Sequence, residues 1–295
     1  MTRAERISIG SIGVGCLVLA LKGAAWWISA SAALYSDALE TTVNVAASAI
    51  ALYAIHLAAK PADEDHPYGH DKAEFFAAVI VGALIVLAAV SIFREAWKEA
   101  WAPHLLTLSG RAIGLNVAAT ALNLVWSIHL MREGRRLRSA ALTADARHLM
   151  TDVVTSVLVV IGVVLVLLTG HALIDPAVAA LAGVYVLYSG IRTVSASAGG
   201  LMDAAPDAAV VARIREVVSD AATGALEAHD LRSRHAGRLA FLEFHLVVPG
   251  GMTVAESHAI CDRIEAALKA EMEYLVVTIH VEPEVKAKHH GVPVL

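Results

Sequence analysis

The chain has 295 residues, of which 57% are hydrophobic and only 17% charged, with a formal net charge of −5. A water-soluble domain is roughly half apolar and about a quarter charged, so this composition makes lipid the solvent for much of the chain. The acidic balance excludes nucleic acid as a partner, because no basic surplus exists to neutralise phosphates. Two cysteines, Cys16 in an apolar run and Cys261 in a polar segment, exclude a disulfide framework and a cysteine-built zinc site; both read as small buried residues.

A helix that crosses a bilayer needs about 20 mostly apolar residues. Residues 7–28 qualify, interrupted only by Lys22, and the apolar stretch behind Arg3 and Arg6 is too long for the core of a cleaved leader. Residues 32–57 qualify with Asp37, Glu40, Asn44 and His56 embedded in them. Residues 75–93 form a clean span, after which Arg94, Trp97, Lys98 and Trp101 read as interfacial anchors. Residues 113–131 make a fourth span. The fifth, 142–168, is polar in its first half (Asp145, His148, Asp152) and aliphatic in its second. The sixth, 177–191, is expected to be short, bounded by Asp175 and Arg192. Arg3, Arg6, Lys60, Lys72 and the run Arg132, Arg135, Arg136 and Arg138 fall on one side of these spans, which places both termini in the cytoplasm.

The composition changes after Gly199 and Gly200, and from Pro206 the chain is water-soluble in character. Helical periodicity over 207–222 and 253–271, with strand-like runs at 226–234, 238–248 and 274–281, gives the order α-β-β-α-β. The fold class expected is therefore a membrane all-α domain of six helices (1–200) followed by a small α+β domain (201–288) with helices on one face of a sheet. The tail (289–295, with order fading from Lys286) is expected to lack structure.

Ionisable groups inside a span are costly and mark function. Glu40 and Asn44 lie four apart in the second span, His148 and Asp152 four apart in the fifth, so each pair shares one helix face with about 6 Å of rise between its members. Two such faces in opposition supply four nitrogen and oxygen ligands, the number a tetrahedral zinc-like ion takes; the competing view is that they only hold helices together. The loop PADEDHPYGHDKAE offers Asp63, His66 and His70 as an exposed loading site, unless it is merely solvated. The terminal domain carries His229, His245, His258 and His280, with Glu282 on the same strand face as His280 by period-two alternation. His56, His104, His129, His171, His235, His289 and His290 show no convergent pattern and read as structural or solvated.

Lys22 with Trp26 and Trp27, then SDALETTVNVAAS, HPYGHDKAE, ADARHLMTD, GLMDAAPD and the terminal segments AHDLRSR, FLEFHLVV, SHAICDRIE and VTIHVEPE together resemble the cation diffusion facilitator family of bacterial metal–proton antiporters, over nearly the whole chain. The resemblance implies a homodimer in the inner membrane, with a transport site on Glu40, Asn44, His148 and Asp152 and a loop site on Asp63, His66 and His70. It further implies a two-ion site on His229, His245, His258, His280 and Glu282, and a basic–acidic interlock between Lys72 and Asp203. Glu40/Asn44 stands where many relatives have Asp/Asp or His/Asp; a shift of one turn would present Asp37 and Thr41 instead, although an ungapped count from Trp26 and Trp27 lands on Glu40/Asn44. Glu282 stands where aspartate is frequent.

The function expected is efflux of a divalent cation, zinc favoured and iron, cobalt, manganese or cadmium open, by alternating access driven by inward proton flow. Ligands must lose protons to bind metal, and an unperturbed imidazole titrates at about 6.5, which makes His148 the expected proton carrier. Metal ions serve as cargo and as regulatory ligands, without an organic cofactor. A membrane hydrolase is disfavoured because the chain has no HExxH motif or nucleophile elbow. A membrane-anchored metal sensor that does not transport would leave the four intramembrane groups without a role.

Overall fold

The computed structural model describes residues 1–29, 32–101, 110–171, 173–272, 274–288 and 292–293. His104, His289 and His290 lie outside them. The chain divides into two compact units, Met1–Ala198 and Gly199–Leu295.

The first unit is built from helices α1 (Arg3–Ser29), α2 (Ala32–Ala58), α3 (Ala73–Trp101), α4 (Gly110–Arg136), α5 (Ala140–Thr169) and α6 (Ile174–Leu201). In hydrocarbon every backbone group must be satisfied within the chain, which long helices achieve. Among the described residues five of them, all but α5, are long and apolar enough to cross a membrane; α5, at 30 residues, is the sixth. All of these helices but α2 extend past their expected ends into polar residues. The largest difference is α6, which continues well beyond Arg192. Thr193 and Ser197 return their hydroxyls to the carbonyls of Ser189 and Thr193, at 2.9 Å each, so polar residues continue the helix instead of ending it.

The inner surfaces are lined by small residues. On α3, Val81, Ile85 and Ala89 repeat every fourth position and pack with Ala47 of α2, Ala144 of α5 and Val186 of α6. Ile80, Leu87 and Val90 are exposed on its other side, as suits lipid contact. Cys16 also proves exposed, on the outward face of α1, whereas Cys261 is buried as expected. Glycines bring α3 and α6 together reciprocally: a Cβ on Gly82 would stand 2.8 Å from Val194 Cγ2, and one on Gly190 would stand 2.8 Å from Val86 Cγ2. Gly82→Leu should therefore force these helices apart, at a cost of about 1–3 kcal/mol or more. A clear drop in the thermal midpoint of the detergent-solubilised protein checks it.

The second unit comprises α7 (Ala208–Ala221), β1 (Glu227–Ala236), β2 (Leu239–Val248), α8 (Val254–Glu271), β3 (Leu275–Pro283), a 3-10 turn (Glu284–Lys286) and β4 (Val292–Pro293). β1 and β2 form an antiparallel hairpin whose turn uses Gly237 at φ 60, a conformation open to glycine. β3 pairs in parallel with β2 after the α8 crossover, and the order is β3-β2-β1-β4. The tail thus differs from expectation: Val292 and Pro293 pair with Ala228 and Glu227 on the open edge of β1, where unpaired backbone groups invite a partner. Alternation divides the sheet. Ala240, Leu242, Phe244, Leu246 and Val248 of β2 pack with Ile260, Ile264 and Leu268 of α8 and with Ile214 and Val218 of α7. The residues between them face the other way. α8 begins on a capping box, in which Thr253 and Glu256 bond each other's backbone and hold the Glu256 carboxyl below its usual range. Arg213 of α7 grips Glu271 of α8 with two hydrogen bonds, of 2.9 and 2.5 Å.

Candidate metal centres

The helices of the first unit bring the two intramembrane pairs to one place. Asn44 Nδ2 of α2 donates to Asp152 Oδ2 of α5. His148, one turn before Asp152, is 2% exposed, with both ring nitrogens buried and no protein hydrogen-bond partner; Asn44 Oδ1 is buried and unpartnered as well. Such groups cost about 1–3 kcal/mol each when left unsatisfied, so a pair of them beside a carboxylate calls for another ligand. Glu40 sits one turn from Asn44, half-buried. The donor set is two carboxylates, one amide oxygen and one imidazole.

Asp37 and Thr41 are engaged elsewhere. Lys22 Nζ donates to Asp37 Oδ1 at 2.6 Å and Asn116 Nδ2 to Asp37 Oδ2 at 2.8 Å, while Thr41 Oγ1 donates to the Asp37 carbonyl at 2.9 Å. Asp145, three residues before His148, is wholly buried and accepts from Ser11 at 2.7 Å and Ser48 at 2.9 Å. This second rung joins α1, α2 and α5, and Ser48 is one turn from Asn44, so it sets the rotation of α2 against α5. Sequence reasoning left Ser11, Ser48 and Asn116 unremarked; their signal was helical spacing from ionisable residues, too common among serines and asparagines to select them.

In the loop after α2, ligand atoms of Asp63, His66 and His70 all lie within 4.8 Å of one another. Asp63 Oδ1 accepts from the His66 backbone at 2.7 Å, which holds its carboxyl below the usual range; His70 Nε2 is 3.5 Å from Asp63 Oδ2. His70 Nδ1 is buried without a hydrogen-bond partner.

In the second unit the sheet face away from the helices gathers three histidines around one carboxylate. Glu282 lies 3.3 Å from His229 Nε2, 3.4 Å from His245 Nδ1 and 3.7 Å from His280 Nε2. The register explains it: His229 is opposite His245 and His245 opposite His280 on neighbouring strands. Both nitrogens of His229 are buried without a hydrogen bond. Two acidic residues join the rim that the expectation had not included. Glu227 is 3.5 Å from His229 Nδ1, and Asp230, at φ 53 in the β1 bulge, has a ligand atom within 4.8 Å of His229 and His245. The Lys288 ammonium, 2.6 Å from Asp230, keeps that carboxyl below its usual range. His258 is not brought to this group. The α8 positions that face the sheet are Ser257, Ile260, Cys261, Ile264 and Leu268, which leaves His258 exposed on the helix, 3.5 Å from Asp262. Of the interlock pair, Lys72 belongs to the first unit; Asp203, at φ 59, belongs to the second and accepts from Arg234 at 3.2 Å.

Residues 8–202 match the family model described as the cation efflux transmembrane domain, and residues 206–284 match that of the cation efflux protein cytoplasmic domain. The chain belongs to the cation diffusion facilitator family. An uncharacterized transporter of Synechocystis sp., sll1263, is 40% identical to it, with 95% of this chain and 90% of that protein covered. The cation-efflux pump FieF of Yersinia pestis is 29% identical, with 94% and 91% covered. A solved zinc form of CzrB is 47% identical, covering 28% of this chain and 96% of that one, at a TM-score of 0.28. As a cation diffusion facilitator, the chain is a multi-pass membrane protein of a cation-exporting family, and its second unit is the family's dimerisation domain.

Proposed function

We propose that this cation diffusion facilitator exports zinc from the cytoplasm in exchange for protons, with Glu40, Asn44, His148 and Asp152 as the transport site. The observation that carries it is the buried His148 imidazole without a protein partner, one turn from Asp152, whose carboxylate accepts from Asn44 while the Asn44 carbonyl is left unpartnered. Two carboxylates neutralise a dication; the imidazole and amide complete a four-ligand set suited to a borderline metal. Protonation of His148 and the carboxylates on the outer side would expel the ion, and its loading from the cytoplasm would release those protons. The basic loops and the family match support termini and second unit on the cytoplasmic side. Asp63, His66 and His70 would load the ion. The likeness to a cation-efflux pump supports export of a cation.

The sheet cluster reads as a regulatory site. His229, His245, His280 and Glu282 fit zinc by donor type, and the single carboxylate reaching three imidazoles suits a bridge between ions. Bound there, metal would draw the second units of a dimer together and raise transport affinity. Coupling of this kind amounts to about 5–150-fold. The test is flux into sealed vesicles across a panel of divalent metals under an imposed proton gradient. Zinc uptake that dissipates the gradient is expected, and no metal flux in any condition would defeat the proposal. In the same assay Glu282→Gln should raise KM about tenfold with little change in maximal rate; an unaltered KM would reduce the domain to a dimerisation module.

A further inference from the structure

Lys22 is a buried cation of the first unit that the proposed transport cycle leaves unused. Its side chain is 3% exposed, and its ammonium turns inward to Asp37 although a lysine near a helix end ordinarily reaches for the membrane surface. The contact is built with care. Lys22 of α1 takes one oxygen of Asp37 at 2.6 Å, and Asn116 of α4 takes the other at 2.8 Å. Thr120, one turn on, lies 3.4 Å from Asn116 Oδ1 and favours the amide orientation that presents Nδ2 to Asp37. Three helices are thus clasped through one carboxylate. Stability alone does not explain an ion pair here, because apolar residues of similar volume commonly serve a buried position as well or better.

The placement suggests a different use. Asp37 is three residues from Glu40 and so shares its helix face. Without Lys22 a dication would meet three carboxylates, Asp37, Glu40 and Asp152, in a poorly screened interior. With it the formal charge of these four side chains is −2, the charge a dication offsets.

We propose that Lys22 is a fixed counter-cation of the transport site, which occupies Asp37 and so keeps the cage weak enough to release its ion outward. Lys22 acts through Asp37 and is a positioning residue, not a ligand. This rests on the transport function proposed above. It also accounts for Asp37, a carboxylate in a metal-carrying span that is withheld from the metal.

The experiment measures zinc binding to the full-length protein in detergent and zinc flux in proteoliposomes, for the wild type, Lys22→Gln, Asp37→Asn and the double variant. Lys22→Gln should bind zinc about tenfold more tightly, with KM and maximal rate both reduced about tenfold. Asp37→Asn leaves the ammonium uncompensated and should weaken binding about tenfold. The double variant removes both charges and should return within about twofold of wild type in affinity and rate. A merely structural clasp would lower the yield of folded dimer in both single variants and move their affinities alike or not at all. Same-signed shifts, or a double variant no better than either single one, would overturn the proposal. If Lys22→Gln does not fold, the weakened binding of Asp37→Asn and its reversal in the double variant decide the matter. A wild type that moves no divalent metal would instead remove the transport function itself.

Discussion

His148→Leu should abolish zinc flux while leaving the thermal stability of the protein unchanged or slightly raised. A buried histidine kept for structure is hydrogen-bonded, and its loss strands the partner. Here neither ring nitrogen has a protein partner, so an apolar side chain of similar size strands nothing and relieves the cost of burying a polar ring. Asp152→Asn forms the contrasting case. Asn44 Nδ2 donates to Asp152, and an asparagine there keeps a carbonyl to accept that bond, so the fold should tolerate it. The charge that neutralises the dication is nevertheless gone. Flux should fall at least about a hundredfold, the loss of roughly 3 kcal/mol of binding that one buried charge can supply. Vesicle flux beside thermal unfolding in detergent checks both. A His148→Leu protein that unfolds early yet still transports would place the imidazole in the packing and out of the metal's path.

Asn44→Asp should lower both KM and maximal rate, and move the pH optimum toward acid. The new carboxylate would stand against Asp152, where two like charges repel unless a cation or a proton lies between them. A dication is then held more tightly, and its departure requires more protons on the far side. Asp37→Ala is the comparison. Each Asp37 oxygen already accepts a hydrogen bond, from Lys22 and from Asn116, so its removal should act through the uncompensated Lys22 instead of through a lost ligand. Weakened but measurable flux is expected from it. An inert Asn44→Asp beside a dead Asp37→Ala would show that α2 presents Asp37 and Thr41 to the metal, one turn from the assignment made here.

The sequence by itself determined the kind and order of the elements of both units, apart from β4 and the far end of α6. Span length is a local property of hydrophobic runs, and the alternating and three-to-four periods of the second unit give its helices and strands to within a residue or two, because burial on one face dictates them. It also determined the chemistry on offer, since a carboxylate or imidazole in a span announces itself. Helical spacing placed Glu40 with Asn44 and His148 with Asp152, and strand alternation placed His280 with Glu282. Spacing within one element cannot say which neighbour its face meets. Only the tertiary structure decided that Asn44 bonds Asp152, that Lys22 and Asn116 occupy Asp37, and that Ser11 and Ser48 close on Asp145. Close approach at small residues, such as Gly15 of α1 against Val45 of α2, is likewise a property of pairs of elements. The same holds for His258, which composition groups with the other histidines of its domain. The hydrophobic face of α8 turns toward the sheet, and that leaves His258 exposed on its helix while the other three gather on the sheet's far face.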